Sequence, residues 1–373
     1  MKLRTLLFLA LSLLPGGAMM AQTNKPVITW KGRMHMDAVG YVDSPDMLNH
    51  TMDIPDLRLG TEVDYENWML KVDVGYARNK VSLKDAFLQY AQNGHFFRAG
   101  HQYVYTGMEQ PNGSNNMLFN SMSNTSQFFD SNRRLGVSYT RSAEKYYLTA
   151  GVYVGDDINV GTDKQGYSGA LRVVWRPVIE EYRMFHVGVS GLYKVPDKVK
   201  GKDYKNLTLT SRGVVRAKSP YWHELSIDGA KKQILFVGEL FATYNKWMVQ
   251  GEYNWSRVNR IGARAYRGQG GFVEAGYLLR GEHYGYDRDE AFSTLPADNG
   301  SILLVARYNN TKANDHKAGL MAGDEQDFSI GLDYFYNKYI STRLGYSYVK
   351  LDEYSAIGKC DVHVIQARLQ VKF

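Results

Sequence analysis

The last nine residues of the chain alternate strictly between apolar and polar side chains, and the chain ends on an aromatic residue, Phe373. A β-strand has a two-residue period, so residues 365–373 predict a strand with one apolar and one polar face. Soluble sandwiches also contain such strands. Here, however, nearly the whole chain has the pattern of strands, and it follows an export signal. The combination favours an all-β fold, a transmembrane antiparallel β-barrel.

The amino terminus has the pattern of a secretory signal peptide. Lys2 and Arg4 form a basic start, and an apolar core of nine residues follows from Leu6 to Leu14. This core is too short to cross a bilayer as a helix, which takes about 20 residues. We predict a signal peptide over residues 1–21 and a single barrel domain over residues 22–373.

The composition fits an aromatic β protein, with 28 Tyr, 15 Phe, 6 Trp and 36 Gly beside only 9 Pro. A mean hydropathy of -0.40 does not exclude a barrel, because a barrel strand turns only every second residue towards lipid. The single cysteine, Cys360, excludes an intrachain disulfide and a cysteine zinc site. The formal net charge of +7 fits a lumen that favours anions, and equally a surface that contacts anionic lipid headgroups.

The connections between strands suggest two different ends of the barrel. Short turns and longer polar loops alternate along the chain, which is typical of bacterial outer-membrane barrels. We count 17 strands and a weak one near residues 224–228. Both termini of such a barrel lie on one side of the membrane, so we predict an even number, 16 strands, with 18 as the alternative. The short turns are expected at 66–67, 92–94, 142–145, 244–246 and 337–338, and the long loops at 42–55, 106–132, 156–166, 194–206, 258–268, 311–324 and 351–360.

Strand parity predicts which charged residues face the lumen, because Arg or Lys facing hydrocarbon at mid-bilayer costs about 2 to 4 kcal/mol. Inward acids accompany the basic residues, so we expect a mixed lumen with a mild anion preference. For any single arginine, a salt bridge within the wall is the more common role. The predicted pore-lining residues are Arg58, Lys71, Arg98, Arg134, Arg172, Arg176, Arg212, Arg343 and Arg368, and parity also places Arg216 and Lys372 on this face.

The third long loop, residues 106–132, is too long for a simple connection and contains several large apolar side chains. We expect it to fold into the lumen and form the constriction, anchored by Met117, Phe119, Phe128 and Phe129. The alternative is an external loop that packs on its neighbours or on another subunit.

Several segments, taken in order, resemble the phosphate-selective porin O and P family of outer-membrane porins. The resemblance implies a 16-stranded, usually trimeric, water-filled pore, a third loop folded inward, and a terminal Phe373 that is read by the barrel insertion machinery. The family commonly has a lysine and a proline just after the segment that corresponds to Gly100-His101-Gln102. Here these two residues are Tyr103 and Tyr105, which argues against a dedicated phosphate site. The matching segments are residues 84–90, 97–102, 107–109, 133–136, 250–253, 271–282 and 366–373.

No catalytic, metal or cofactor motif is recognisable. The nine histidines include no His-Glu-x-x-His pattern, and no Gly-x-Ser-x-Gly elbow is present. We therefore expect a non-enzymatic porin in the bacterial outer membrane that passes small hydrophilic or anionic solutes. We expect it to contact outer-membrane lipid and to form a homotrimer, and we expect no nucleic-acid partner. The alternatives are a barrel hydrolase, with acid-base pairs near His223, Glu282 or Asp315, and a structural or adhesive barrel.

Overall fold

The computed structural model describes residues 25–42, 44–129, 132–155, 165–198, 205–296 and 299–373. The predicted signal peptide lies outside these residues. Among the described residues, no helix is both long and apolar enough to cross a membrane.

In the part of the chain that the structure describes, twenty strands form three sheets, and sixteen of them close into one antiparallel barrel, as the sequence predicts. The strands are β1 (Val27–Val42), β2 (Thr51–Tyr65), β3 (Trp68–Ala77), β4 (Lys80–Gln92), β5 (His95–Tyr103), β6 (Arg133–Ser142), β7 (Tyr146–Val154), β8 (Tyr167–Ile179), β9 (Arg183–Val195), β10 (Asn206–Ser211), β11 (His223–Asp228), β12 (Ala230–Tyr244), β13 (Trp247–Arg260), β14 (Tyr266–Arg280), β15 (Gly285–Asp287), β16 (Phe292–Thr294), β17 (Ser301–Lys312), β18 (Glu325–Phe335), β19 (Ile340–Leu351) and β20 (Cys360–Lys372). Strands β10 and β11 form one separate hairpin, and β15 and β16 form another.

The barrel closes where β1 pairs with the terminal strand β20, in a register that places Arg33 opposite Lys372. Gly32 and Phe373 exchange two backbone hydrogen bonds of 3.0 Å. The Phe373 ring occupies the space that a Cβ at Gly32 would need, so only glycine fits there without a shift. Closure leaves the barrel without a free edge strand, which a membrane requires because lipid offers no hydrogen-bond partners.

Side chains alternate between the two faces of the wall as the sequence predicts. On β3, Trp68, Leu70 and Val74 are exposed on the outside, whereas Asp73 is buried inside. Exposed aromatic residues also lie at the ends of many strands, as they do in membrane barrels. Among those near the end of the barrel where β1 begins and β20 ends are Tyr65, Trp68, Tyr146, Trp175, Tyr244 and Trp247.

The connections differ at the two ends of the barrel. At the end where β1 begins and β20 ends, which we term the short-turn end, six of the seven connections have two to four residues. Asn93 and Gly94 both have positive φ, 51° and 74°, as expected for a type I′ turn of two residues. The seventh connection, residues 281–300, is 20 residues long and was not anticipated from the sequence.

The opposite end, which we term the long-loop end, differs from the prediction in three places. Residues 206–216 do not form a barrel strand: β10 has six residues, fewer than the nine or more a spanning strand needs, and pairs with β11 in a separate two-stranded sheet. The connection expected at 258–268 shortens to residues 261–265, because β13 and β14 extend further than expected. Between β3 and β4 the connection is only Arg78 and Asn79, both at positive φ.

Candidate functional site

The connection between β5 and β6, residues 104–132, folds into the lumen, and we term it L3. It contains two short helices, α1 (Glu109–Asn112) and α2 (Asn124–Phe129). The apolar residues that the sequence predicts to anchor it are buried, among them Phe128 and Phe129, which pack on Leu207 and Ile227 of the β10–β11 hairpin. Met117 and Phe119 are also buried. The prediction of an inward-folded third loop is confirmed.

One carboxylate of the wall fixes the start of L3. Oε1 of Glu252, an inward residue of β13, accepts hydrogen bonds from the backbone N–H groups of Met108 and Glu109, at 2.5 and 2.6 Å. The Glu109 carboxylate in turn accepts hydrogen bonds from the backbone N–H and the hydroxyl of Ser123, at 2.8 and 2.7 Å. The two ends of the loop are thereby tied to each other and to one wall.

The middle of L3 reaches across the lumen to the opposite wall. Nη2 of Arg343 on β19 donates to the carbonyl of Met117 at 2.8 Å. The Ser114 hydroxyl donates to Asp56 of β2 at 2.6 Å. L3 thus spans the lumen from β13 to β2 and divides its cross-section.

A second segment, the connection 281–300, enters the lumen from the other end. Its described residues 281–296, which include β15 and β16, fold inward from the short-turn end, and Tyr284 and Phe292 pack in one cluster with Met108 of L3. Asn112 of L3 donates through Nδ2 to the carbonyl of Ser293 at 2.9 Å. The two inserted segments therefore meet inside the barrel.

The second segment binds the wall through the carboxylate of Glu290. The carboxylate of Glu290 accepts hydrogen bonds from Arg98 of β5 and from the Tyr105 hydroxyl, the latter at 2.8 Å. Burial raises the pKa of Tyr105 well above its ordinary value, so this hydroxyl stays protonated and can donate.

A cavity of about 390 Å³ remains between L3, the wall around β1, β2 and β4, and residues 210–221 of the connection between β9 and β12. Its polar lining is dominated by basic side chains, and L3 contributes Ser114, Met117, Ser121 and Met122 to the opposite side. Seven basic residues line the cavity: Arg33, Arg58, Arg78, Lys84, Arg133, Arg212 and Arg216.

Two carboxylates neutralise part of this positive charge. Asp56 lies 2.9 Å from Arg33 and 3.2 Å from Arg216, and Asp85 lies 2.6 Å from Arg133. Within the described part of the chain, no carboxylate lies within ion-pair distance of Lys84. The cavity therefore retains an excess of positive charge next to L3.

The predicted pore-lining residues fall into three groups. Arg58 and Arg212 line the cavity, although Arg212 lies in a loop and not on a barrel strand. Lys71 faces inward nearer the short-turn end and lies 3.1 Å from Glu62. The remaining six residues point inward but are held by partners: Arg98 by Glu290, Arg134 by the Gly155 carbonyl, Arg172 by Glu239, Arg176 by backbone carbonyls, Arg343 by Asp333 and Arg368 by Asp37.

Sequence reasoning missed several cavity residues and the second inserted segment. Arg33 could have been found by extending the alternation of faces to β1, where it shares the inward face with His35. Lys84 lies near a register shift between β3 and β4, which parity counting does not detect. The segment 281–300 had a weaker signal, the charged run at residues 287–290 between two strands.

Comparison with known proteins identifies the family. A family model described as phosphate-selective porin O and P matches residues 28–373. The chain belongs to this family. An uncharacterised protein of Caulobacter vibrioides is 23% identical to this porin over 381 residues, which cover 92% of this chain and 73% of that protein.

Solved outer-membrane proteins share the fold at low sequence identity. The anion-selective porin of Comamonas acidovorans is 10% identical with a TM-score of 0.58, and covers 94% of this chain and 100% of its own. The channel DcaP of Acinetobacter baumannii is 11% identical with a TM-score of 0.57 and covers 93% and 97%. A trimer form of OmpT of Vibrio cholerae is 11% identical with a TM-score of 0.60 and covers 94% and 100%.

The family and the sixteen-stranded barrel place this porin in the outer membrane. In such barrels the short turns lie in the periplasm and the long loops face the exterior. On this pattern, L3 enters the lumen from the outside and residues 281–300 enter it from the periplasm.

Proposed function

We propose that this porin is a passive channel for small hydrophilic solutes, with L3 as the constriction and a weak preference for anions. The observation that carries the proposal is the basic cavity between L3 and the wall of β1, β2 and β4. Its fixed positive charges attract anions and repel cations, and a low-dielectric wall strengthens this effect over that in open water. Because the seven cations are distributed over several strands and connections around the cavity, we propose a general anion preference and no dedicated phosphate site.

Reversal potentials in a potassium chloride gradient test this selectivity. We expect the wild-type channel to favour chloride at about 0.1 M salt and to lose most of that preference at about 1 M, because the screening length falls from about 10 Å to about 3 Å. A preference for potassium at low salt would contradict the proposal, since it would mean that acidic residues dominate the narrowest point.

The proposed channel requires no chemistry from its histidines. His223, one of the residues considered for an acid-base pair, is buried and lies 2.8 Å from Glu325 of the wall. His186 is likewise buried and lies 2.8 Å from Glu239. A catalytic pair must reach its substrate, and these two pairs are enclosed by protein. They support a structural role in the wall more than hydrolysis.

We propose that the porin assembles as a homotrimer in contact with outer-membrane lipid, and that the insertion machinery reads its terminal strand. Phe373 is 64% exposed although it closes the barrel by hydrogen bonds to Gly32. The ring is thus accessible to a partner even in the closed barrel.

Deletion of Phe373 is expected to lower the fraction of folded, heat-modifiable protein in outer membranes, because it removes both the ring and the last backbone hydrogen bonds of the closing strand. Folded yield would be measured by the shift in gel mobility between unheated and heated samples. Phe373→Tyr keeps the ring and the backbone, and serves as the matched control. Equal folded yield from the deletion and the control would refute this role.

A further inference from the structure

The inserted segment 281–300 is unusual for its place in the barrel. The other six connections at the short-turn end need only two to four residues to join neighbouring strands. Strands β14 and β17 could be joined as briefly, because Arg280 already pairs with Ile302. The additional residues are therefore not needed to build the wall.

The interior of this segment has the properties of a small packed plug. Ala291 and Ser293 are buried, and Phe292 and Leu295 pack in a cluster that includes Leu118 of L3. Its two strands have only three residues each. A short two-stranded hairpin is marginally stable by itself, so this segment depends on its contacts with the wall and L3.

The wall holds the tip of the segment mainly with cationic donors. Arg172 donates to the carbonyls of Glu290 and Ala291 at 3.0 and 2.5 Å, and Arg176 donates to the carbonyl of Arg288 at 2.7 Å. If the segment moved away, water could replace each of these carbonyls as the hydrogen-bond acceptor of the arginine.

Among the described residues of the segment, Glu290 reaches the wall with a charged side chain. Arg98 donates to one of its oxygens and Tyr105 donates to the other. Arg98 also donates to Gln89 and to the Tyr105 oxygen, so the guanidinium is held in place by neighbours that do not belong to the segment. Two fixed donors that donate to the two oxygens of one carboxylate form a carboxylate-binding site.

We propose that residues 281–300 are a displaceable periplasmic plug, and that Arg98 and Tyr105 form a carboxylate site that the plug fills with its own Glu290. A small carboxylate that enters from the periplasm, such as succinate, would compete with Glu290 for these two donors. Release of the plug would leave the wall intact, because the pairing of β14 with β17 does not involve it.

Glu290→Gln and Asp289→Asn form a matched pair that tests the plug. Both substitutions remove one negative charge from the segment, but Asp289 is exposed and Glu290 binds Arg98 and Tyr105. We expect Glu290→Gln to speed hydrogen–deuterium exchange of residues 281–296 about tenfold or more, because a charge-assisted hydrogen bond is lost. Asp289→Asn should leave exchange unchanged. Equal exchange in the two variants would overturn the plug proposal whether or not the porin conducts.

A second experiment tests the carboxylate site by current, and this arm rests on the proposed channel function. Residues 281–300 are replaced by an Asn-Gly turn, and single-channel conductance is measured in planar bilayers with and without succinate at constant ionic strength. We expect about a twofold rise in conductance and a saturable block by succinate added on the periplasmic side. The same replacement combined with Arg98→Gln should lose the block.

The outcomes of the current measurement separate the two ideas. If the wild type conducts and the turn variant has the same conductance, the plug proposal is overturned and the porin function stands. A conductance rise with equal succinate block in the presence and absence of Arg98 would overturn the carboxylate site. Absence of current in wild type and variants alike would refute the channel function, and the exchange experiment would then still decide whether Glu290 holds the segment.

Discussion

Removal of residues 113–122 from L3 is expected to raise single-channel conductance about two- to threefold, because these residues form the part of the loop that crosses to the far wall. Ser114 and Met117 contact β2 and β19 through Asp56 and Arg343. The anchors to Glu252 lie outside the deleted residues. The remaining ends are already adjacent, since Ser123 donates to Glu109. The shortened loop can therefore stay attached to one wall while the passage widens.

A deletion of the same kind in an exposed turn provides the control. Gly262 and Ala263 lie in the exposed connection between β13 and β14 at the long-loop end. Their removal should leave conductance unchanged, because that turn does not enter the lumen. Both proteins are expected to fold, since neither deletion touches a hydrogen-bonded pair of the wall. A shortened L3 that folds normally and leaves conductance and the size cutoff in liposome swelling unchanged would show that L3 does not set the narrowest point.

Charge reversal in the cavity is expected to change the ion preference of the channel from anions to cations. In the double variant Arg58→Glu and Lys84→Glu, two inward cations become anions. Unit charges about 4 Å apart interact by about 1 kcal/mol in water and about 4 kcal/mol near a protein surface. Because about 1.4 kcal/mol corresponds to a tenfold ratio, we expect the chloride-to-potassium permeability ratio at about 0.1 M salt to fall about tenfold or more.

Lys80→Glu is the matched control for this change of selectivity. Lys80 lies on the same strand as Lys84 but is exposed at the start of β4. Screening by salt should suppress most of its influence on a permeating ion. If Lys80→Glu shifted the reversal potential as far as the double variant, selectivity would be set by the general charge of the outer rim and not by the cavity.

The barrel itself was predictable because a membrane imposes a simple rule on every strand. Lipid requires apolar side chains on one face and paired backbone groups throughout, so residues such as Trp68, Leu70 and Asp73 alternate visibly in the sequence. The inward fold of L3 was predictable for a related reason. Phe128 and Phe129 are large apolar residues in a long loop, and they needed a place away from water.

The interior was less predictable because its contacts join residues that are far apart in sequence. The parity of β5 places Arg98 in the lumen, but only the three-dimensional structure shows that Glu290 covers it, 192 residues along the chain. Residues 206–211 alternate like a spanning strand, yet their length and their pairing with β11 place them in a loop. Alternation reports which face a residue lies on, and it carries no information about what fills the space beyond that face.

The pairing of β1 with β20 also has a consequence for how the chain reaches its final state. Asp37 and Arg368 meet across this junction although 331 residues separate them. Contacts between such distant parts of a chain form slowly, because the intervening residues must first be brought together. The open sheet would expose unpaired edges until the last strand pairs. A chaperone that binds early and keeps those edges from pairing with other chains would therefore govern the yield of folded barrel more than the final stability of the barrel does.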